Sequence, residues 1–134
     1  MTISQDPKDP EVQAIAAFLR VLNALENIRS SISVAQRATT MTTEEDAREL
    51  AALALAETID AIEVLSEGAL EKNYEAAVLA ARAHLFNTRA LLDLGRRAPT
   101  RAVIGNVLAQ AIRSLRTARS TLANPATLPS TYRN

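Results

Sequence analysis

The sequence lacks the residue types on which several classes of small protein depend. It has no cysteine and no tryptophan, three glycines, five prolines and only 3% aromatic residues. The absence of cysteine excludes a disulfide framework and a thiolate zinc site. So few glycines and prolines argue against a turn-rich β-sandwich. With 48% apolar residues among 134 positions, the chain is instead expected to form one domain with a real core.

No segment has the features of a signal peptide or a membrane span. Residues 1–10 lack a basic start followed by an apolar run. The longest fully apolar run covers residues 50–56 and is flanked by Glu49 and Glu57. A spanning helix needs roughly 20 apolar residues, so we predict a cytoplasmic protein without a membrane span.

Apolar residues recur at three- and four-residue steps, which predicts an all-α protein with helices over about residues 10–38, 43–66, 74–94 and 100–123. The first begins at Pro10, and Thr42 with Glu45 forms a capping box for the second. Gly95 is expected to be the C-cap of the third helix. In the fourth, a heptad seam is expected to face the core: Ile104, Leu108, Ala111, Leu115, Ala118 and Leu122.

Four amphipathic helices joined by short links predict an antiparallel up-down-up-down four-helix bundle. The bundle domain would cover residues 10–124, between a flexible N-terminus of residues 1–9 and a flexible Pro-containing tail of residues 125–134. The alternative architecture is a helix-hairpin assembly in which two or more chains share one core.

The formal net charge of zero conceals a segregation of charge along the chain. Residues 40–75 contain ten acidic and two basic residues, whereas residues 76–134 contain one acidic and nine basic residues. On a helical wheel, the acids of the second helix fall within an arc of about 120°. They are Glu45, Asp46, Glu49, Glu57, Asp60, Glu63 and Glu67. Their counter-charges must be solvent ions, arginines of neighbouring helices or another molecule.

The third helix carries Arg82, Arg89 and Arg96 at intervals of seven residues, with Leu79 and Phe86 beside them. Apolar side chains flanked by arginines are typical of protein interfaces, although Phe86 could equally turn into its own bundle. The pattern predicts a partner-binding surface made of Glu49, Glu57, Asp60, Glu63, Glu67, Leu79, Arg82, Phe86 and Arg89.

Two alternatives remain open at this stage. Clustered arginines favour a nucleic-acid-binding accessory protein that uses Arg96, Arg97, Arg101, Arg113, Arg116 and Arg119. The scarcity of aromatic side chains for base stacking argues against it. The second alternative is a small-ligand site in the bundle centred on His84, with Thr58 and Thr88, although a core histidine with satisfied hydrogen bonds would fit the same pattern.

Catalytic and metal-binding motifs are missing from the sequence. There is no Gly-rich phosphate loop and no grouped set of nucleophile, histidine and acid. We therefore expect no enzyme activity, no cofactor and no metal. The expected function is a non-enzymatic interaction or assembly module that binds a second copy of itself, another protein, or both.

Overall fold

The computed structural model describes residues 10–66 and 75–123, and in these ranges it contains four helices and no strand. They are α1 (Pro10–Met41), α2 (Glu44–Leu65), α3 (Glu75–Gly95) and α4 (Arg101–Ala123). The prediction of a four-helix bundle is confirmed. The segments predicted to be flexible, residues 1–9 and 125–134, lie outside the described residues. None of the described helices is both long and apolar enough to cross a bilayer.

The helices pack in a ring, in which α1 lies beside α2, α2 beside α3, α3 beside α4 and α4 beside α1. At the α2–α3 seam, Arg82 reaches the carbonyl oxygen of Leu65, whereas Gly95 approaches Ala51. Residue numbers therefore rise along one helix as they fall along the other, so α2 and α3 run antiparallel. Positions at the same height on the two helices have residue numbers that sum to about 147.

Alanine and aliphatic side chains fill the core. All six residues of the predicted α4 seam are buried, as its heptad spacing indicates. On the facing helices many of the buried residues are small, and they include Ala47, Ala51, Ala54 and Ala61 of α2 and Ala77 and Ala81 of α3. Small side chains at a helix–helix contact let the backbones approach closely, because nothing larger than a methyl group separates them.

The link between α1 and α2 is shorter than predicted, because α1 continues past Ala38 to Met41. The hydroxyl groups of Thr39 and Thr40 donate to carbonyl oxygens three residues earlier, at 2.6 and 3.0 Å. This satisfies them inside the last turn. The N-cap of α2 is Thr43, not Thr42, because its side-chain oxygen accepts a hydrogen bond from the Asp46 amide at 3.1 Å.

Gly95 is not the left-handed cap that its position suggests. It is the last residue of α3 and does not have a positive φ. The chain keeps turning beyond it, since the amides of Arg96 and Arg97 donate to Leu92 and Leu94 at 3.0 and 3.2 Å. A Cβ at Gly95 would lie 3.7 Å from Val107, which is an ordinary van der Waals contact.

Two arginines tie together the end of the bundle that holds the short links. Arg48 of α2 donates from Nε to the carbonyl oxygen of Ala98 at 2.8 Å and from Nη2 to that of Pro99 at 3.3 Å. Arg101 of α4 donates to the carbonyl oxygen of Thr39 at 3.1 Å. The Arg48 bonds satisfy backbone acceptors of the α3–α4 link and hold that link against α2, whereas the Arg101 bond satisfies a carbonyl group in the last turn of α1.

Candidate interaction surface

An apolar stripe runs along the outer face of α3. Leu79, Phe86 and Leu94 are 46%, 47% and 53% exposed, and Ala83 and Ala90, also exposed, lie between them. Steps of three and four residues place all five on one side of the helix, over a length of about 22 Å. We call these five residues the α3 stripe. Contiguous exposed apolar surface of this kind marks interaction sites.

Phe86 turns only in part toward the neighbouring helix of its own bundle. Its ring is half exposed and lines a groove between α2 and α3 together with Leu55 and Ile59. Leu79 is exposed to the same extent as Phe86. Both apolar residues of the predicted partner surface are therefore available to another molecule.

The three arginines beside the α3 stripe differ in their surroundings. Arg82 is half-buried and donates from Nη2 to the carbonyl oxygen of Leu65 at the end of α2, at 3.2 Å. Arg96, just beyond the end of α3, is exposed but pairs with Asp93 in the last turn of that helix at 2.7 Å. Arg89 is exposed, and it has no hydrogen bond or ion pair within the described parts of the chain. Of the three, Arg89 is thus the cation left for a partner.

The acidic face of α2 is largely not neutralised by its own bundle. Glu49, Asp60 and Glu63 are exposed and take part in no ion pair among residues 10–66 and 75–123. Glu57 is half-buried and accepts a hydrogen bond from the Ser31 hydroxyl at 2.5 Å. Glu44, at the start of the helix, pairs with arginines. Glu67 lies outside the described residues.

Apolar side chains interrupt this acidic face near its centre. Leu53 is 53% exposed, and exposed Ala56 lies one turn further along. We call Glu49, Leu53, Ala56, Asp60 and Glu63 the α2 row. The α2 row and the α3 stripe lie on adjacent helices, so the bundle presents an acidic surface beside an apolar, arginine-bordered one.

Sequence reasoning missed five residues of this surface: Leu53, Ala56, Ala83, Ala90 and Leu94. The signal was present in α3, because the positions 79, 83, 86, 90 and 94 follow helical steps and all are apolar. Because alanine is common in helix cores, Ala83 and Ala90 were not recognised as part of a continuous exposed stripe.

Most of the arginines predicted to bind nucleic acid already form ion pairs or hydrogen bonds within the bundle. Arg96 and Arg97 share Asp93, and the hydrogen bond from Arg96 is the largest of the effects that lower the pKa of that carboxyl group. Arg101 bonds to the Thr39 carbonyl, and Arg119 lies 3.9 Å from Glu26. Arg113 and Arg116 are exposed and have no protein partner in the described part of the bundle. A phosphate-binding cluster is thereby reduced to two unpaired cations.

The two threonine hydroxyl groups of the predicted small-ligand site donate hydrogen bonds within their own helices. Thr58 and Thr88 are fully buried and donate to the carbonyl oxygens of Ala54 and His84 at 2.8 and 2.9 Å. The His84 carbonyl oxygen also accepts the Ser114 hydroxyl at 2.9 Å. The half-buried His84 imidazole makes no hydrogen bond within the described residues. No group of three metal-ligating side chains forms there either.

No family model, no curated protein and no solved structure matches this chain. Its function must therefore be inferred from the α2 row and the α3 stripe themselves.

Proposed function

We propose that this protein is a non-enzymatic helical-bundle interaction module that associates with itself through the α2 row and the α3 stripe. The observation that carries the proposal is the α3 stripe, on which three large apolar side chains are about half exposed along one helix face. Removing such surface from water contributes roughly 25 cal/mol per Å², so covering it with a partner supplies a driving force for association.

Charge supports a second copy of the chain as the partner. The α3 stripe is bordered by the unpaired Arg89, and the α2 row of the same chain offers Asp60 and Glu63 without internal counter-ions. Complementary potentials of this kind favour encounter and correct pairing more than they add affinity. One chain thus contains both halves of a complementary surface.

Binding to nucleic acid is the weaker alternative. Arg113 and Arg116 are the exposed arginines that favour it. Two phosphate contacts would give a dependence of log affinity on log salt of only about −2. Binding to mixed-sequence DNA at low salt, with an affinity that falls at least this steeply as salt is added, would favour this alternative over self-association.

Light scattering at several concentrations, in low and in high salt, tests the proposal. We expect an average mass above the 14.4 kDa of one chain that rises with concentration and falls when salt screens the charged groups. A mass of 14.4 kDa under all conditions would contradict self-association.

A further inference from the structure

Building on this proposed self-association, we infer that two copies form a closed dimer about a two-fold axis parallel to the helices. In this dimer the α2 row of each copy packs against the α3 stripe of the other. Each copy thus contributes both an α2 row and an α3 stripe to the interface.

The signs of the charges select this pairing. An α2–α2 contact between copies would bring Asp60 and Glu63 against the same acids. An α3–α3 contact would bring Arg89 against Arg89 with no acid from α2 between them. Like charges juxtaposed at an interface disfavour binding. Among the pairings of these two helices, only α2 with α3 brings unpaired acids to an unpaired arginine.

The positions of the two helices select the symmetry. Because α2 and α3 lie side by side, a two-fold axis that passes between them and parallel to them places each α2 over the other copy's α3. Both contacts form at once, which doubles the buried area. Two-fold dimers are also the commonest closed assemblies of identical chains. A two-fold axis perpendicular to the helices would instead place α2 on α2.

The same axis determines which residues meet, since rotation about it leaves every residue at its own height. Level positions on α2 and α3 sum to about 147, as Leu65 with Arg82 and Ala51 with Gly95 indicate. Ala56 therefore faces Ala90 of the second copy, and these two small side chains allow close approach. Leu53 lies at the edge of the α2 row away from α3, where it lines a groove with Val34 and Met41 of α1.

The charged pair follows from the direction in which helical side chains lean. Side chains tilt toward the N-terminus of their own helix. Because α2 and α3 are antiparallel, Glu63 and Arg89 tilt toward each other across the interface. Both side chains are exposed in the single copy. Phe86 lines the groove between α2 and α3, so the two Phe86 rings lie at the same height on either side of the axis.

Charge reversal tests this arrangement by sedimentation equilibrium. Glu63→Arg and Arg89→Glu should each weaken dimerisation about tenfold or more, because each reversal acts at both symmetric contacts. The double variant should dimerise within about threefold of the wild type. An equimolar mixture of the two single variants should form mixed dimers. Arg113→Glu, a charge reversal on α4, is the matched control and should leave dimerisation unchanged.

The possible outcomes separate this inference from the proposed function. A wild-type chain that stays at 14.4 kDa overturns both. A mass that grows past two copies with concentration overturns the closed dimer but keeps self-association. A dimer that Glu63→Arg leaves unaffected, or that the double variant does not restore, overturns the α2–α3 pairing alone.

Discussion

Replacement of Phe86 by glutamine should weaken self-association more than any other single change on the outer faces of the bundle. Phe86 is 47% exposed, and an aromatic side chain buries about 200 Å² when covered completely. Covering the exposed half contributes about 2.5 kcal/mol per ring, or about 5 kcal/mol for the two rings of a dimer. Glutamine keeps the inner carbons of the side chain, so we expect a loss of about half this amount. The dissociation constant should then rise about 30- to 150-fold.

Sedimentation equilibrium of Phe86→Gln, with Leu19→Gln as the matched control, measures this loss. Leu19 is 59% exposed on α1, which is diagonal to α3 in the ring, so its replacement should leave the dissociation constant unchanged. The monomer should stay folded, because half of the Phe86 ring is already in water. An unchanged dissociation constant for Phe86→Gln, or an equal loss for both variants, would refute the reasoning.

Four further predictions concern stability. Arg48→Met should lower the free energy of unfolding by about 1–2 kcal/mol in urea, because the α3–α4 link loses hydrogen bonds to two carbonyl groups; Arg37→Met, an exposed change, should cost less than about 0.5 kcal/mol. Gly95→Ala should raise the melting temperature, with about 0.5–1 kcal/mol of added stability, because φ is not positive and the new methyl group makes ordinary contacts. His84→Ala should change stability by less than about 1 kcal/mol, since the nearby hydroxyl groups bond to the His84 carbonyl oxygen rather than to the imidazole. The lowered pKa of Asp93 stabilises the folded state above the ordinary pKa of 3.8, and this stabilisation is lost as the pH falls through the lowered value; Asp93→Asn should remove that part of the acid dependence of urea unfolding.

The bundle was predictable because its apolar periodicity is long and has no competing strand pattern. The α4 seam repeats at heptad spacing, and all of its members are buried. Helix ends were less predictable. Thr42 and Thr43 are each followed three residues later by an acid, so local chemistry did not distinguish them. Thr43 became the cap because α1 extends to Met41.

The candidate surface was predictable only in part. A helical wheel shows which residues share a face but not which face is buried, and alanines on several sides of α3 left the direction of Phe86 open. The ion pairs of Asp93 with Arg96 and Arg97 are local in sequence and could have been anticipated. The bond from Arg82 to the Leu65 carbonyl depends on how α3 docks against α2. No pattern within either helix indicates it.

The absence of native cysteine makes the central claim directly testable by disulfide cross-linking. Ala56→Cys and Ala90→Cys are prepared as separate variants, mixed in equal amounts and oxidised at a concentration at which the wild type associates. The reciprocal dimer predicts that the mixture forms a disulfide-linked species of twice 14.4 kDa far more efficiently than either variant alone, because Ala56 of one copy faces Ala90 of the other. Cross-linking of a single variant with itself as efficiently as in the mixture would contradict the account.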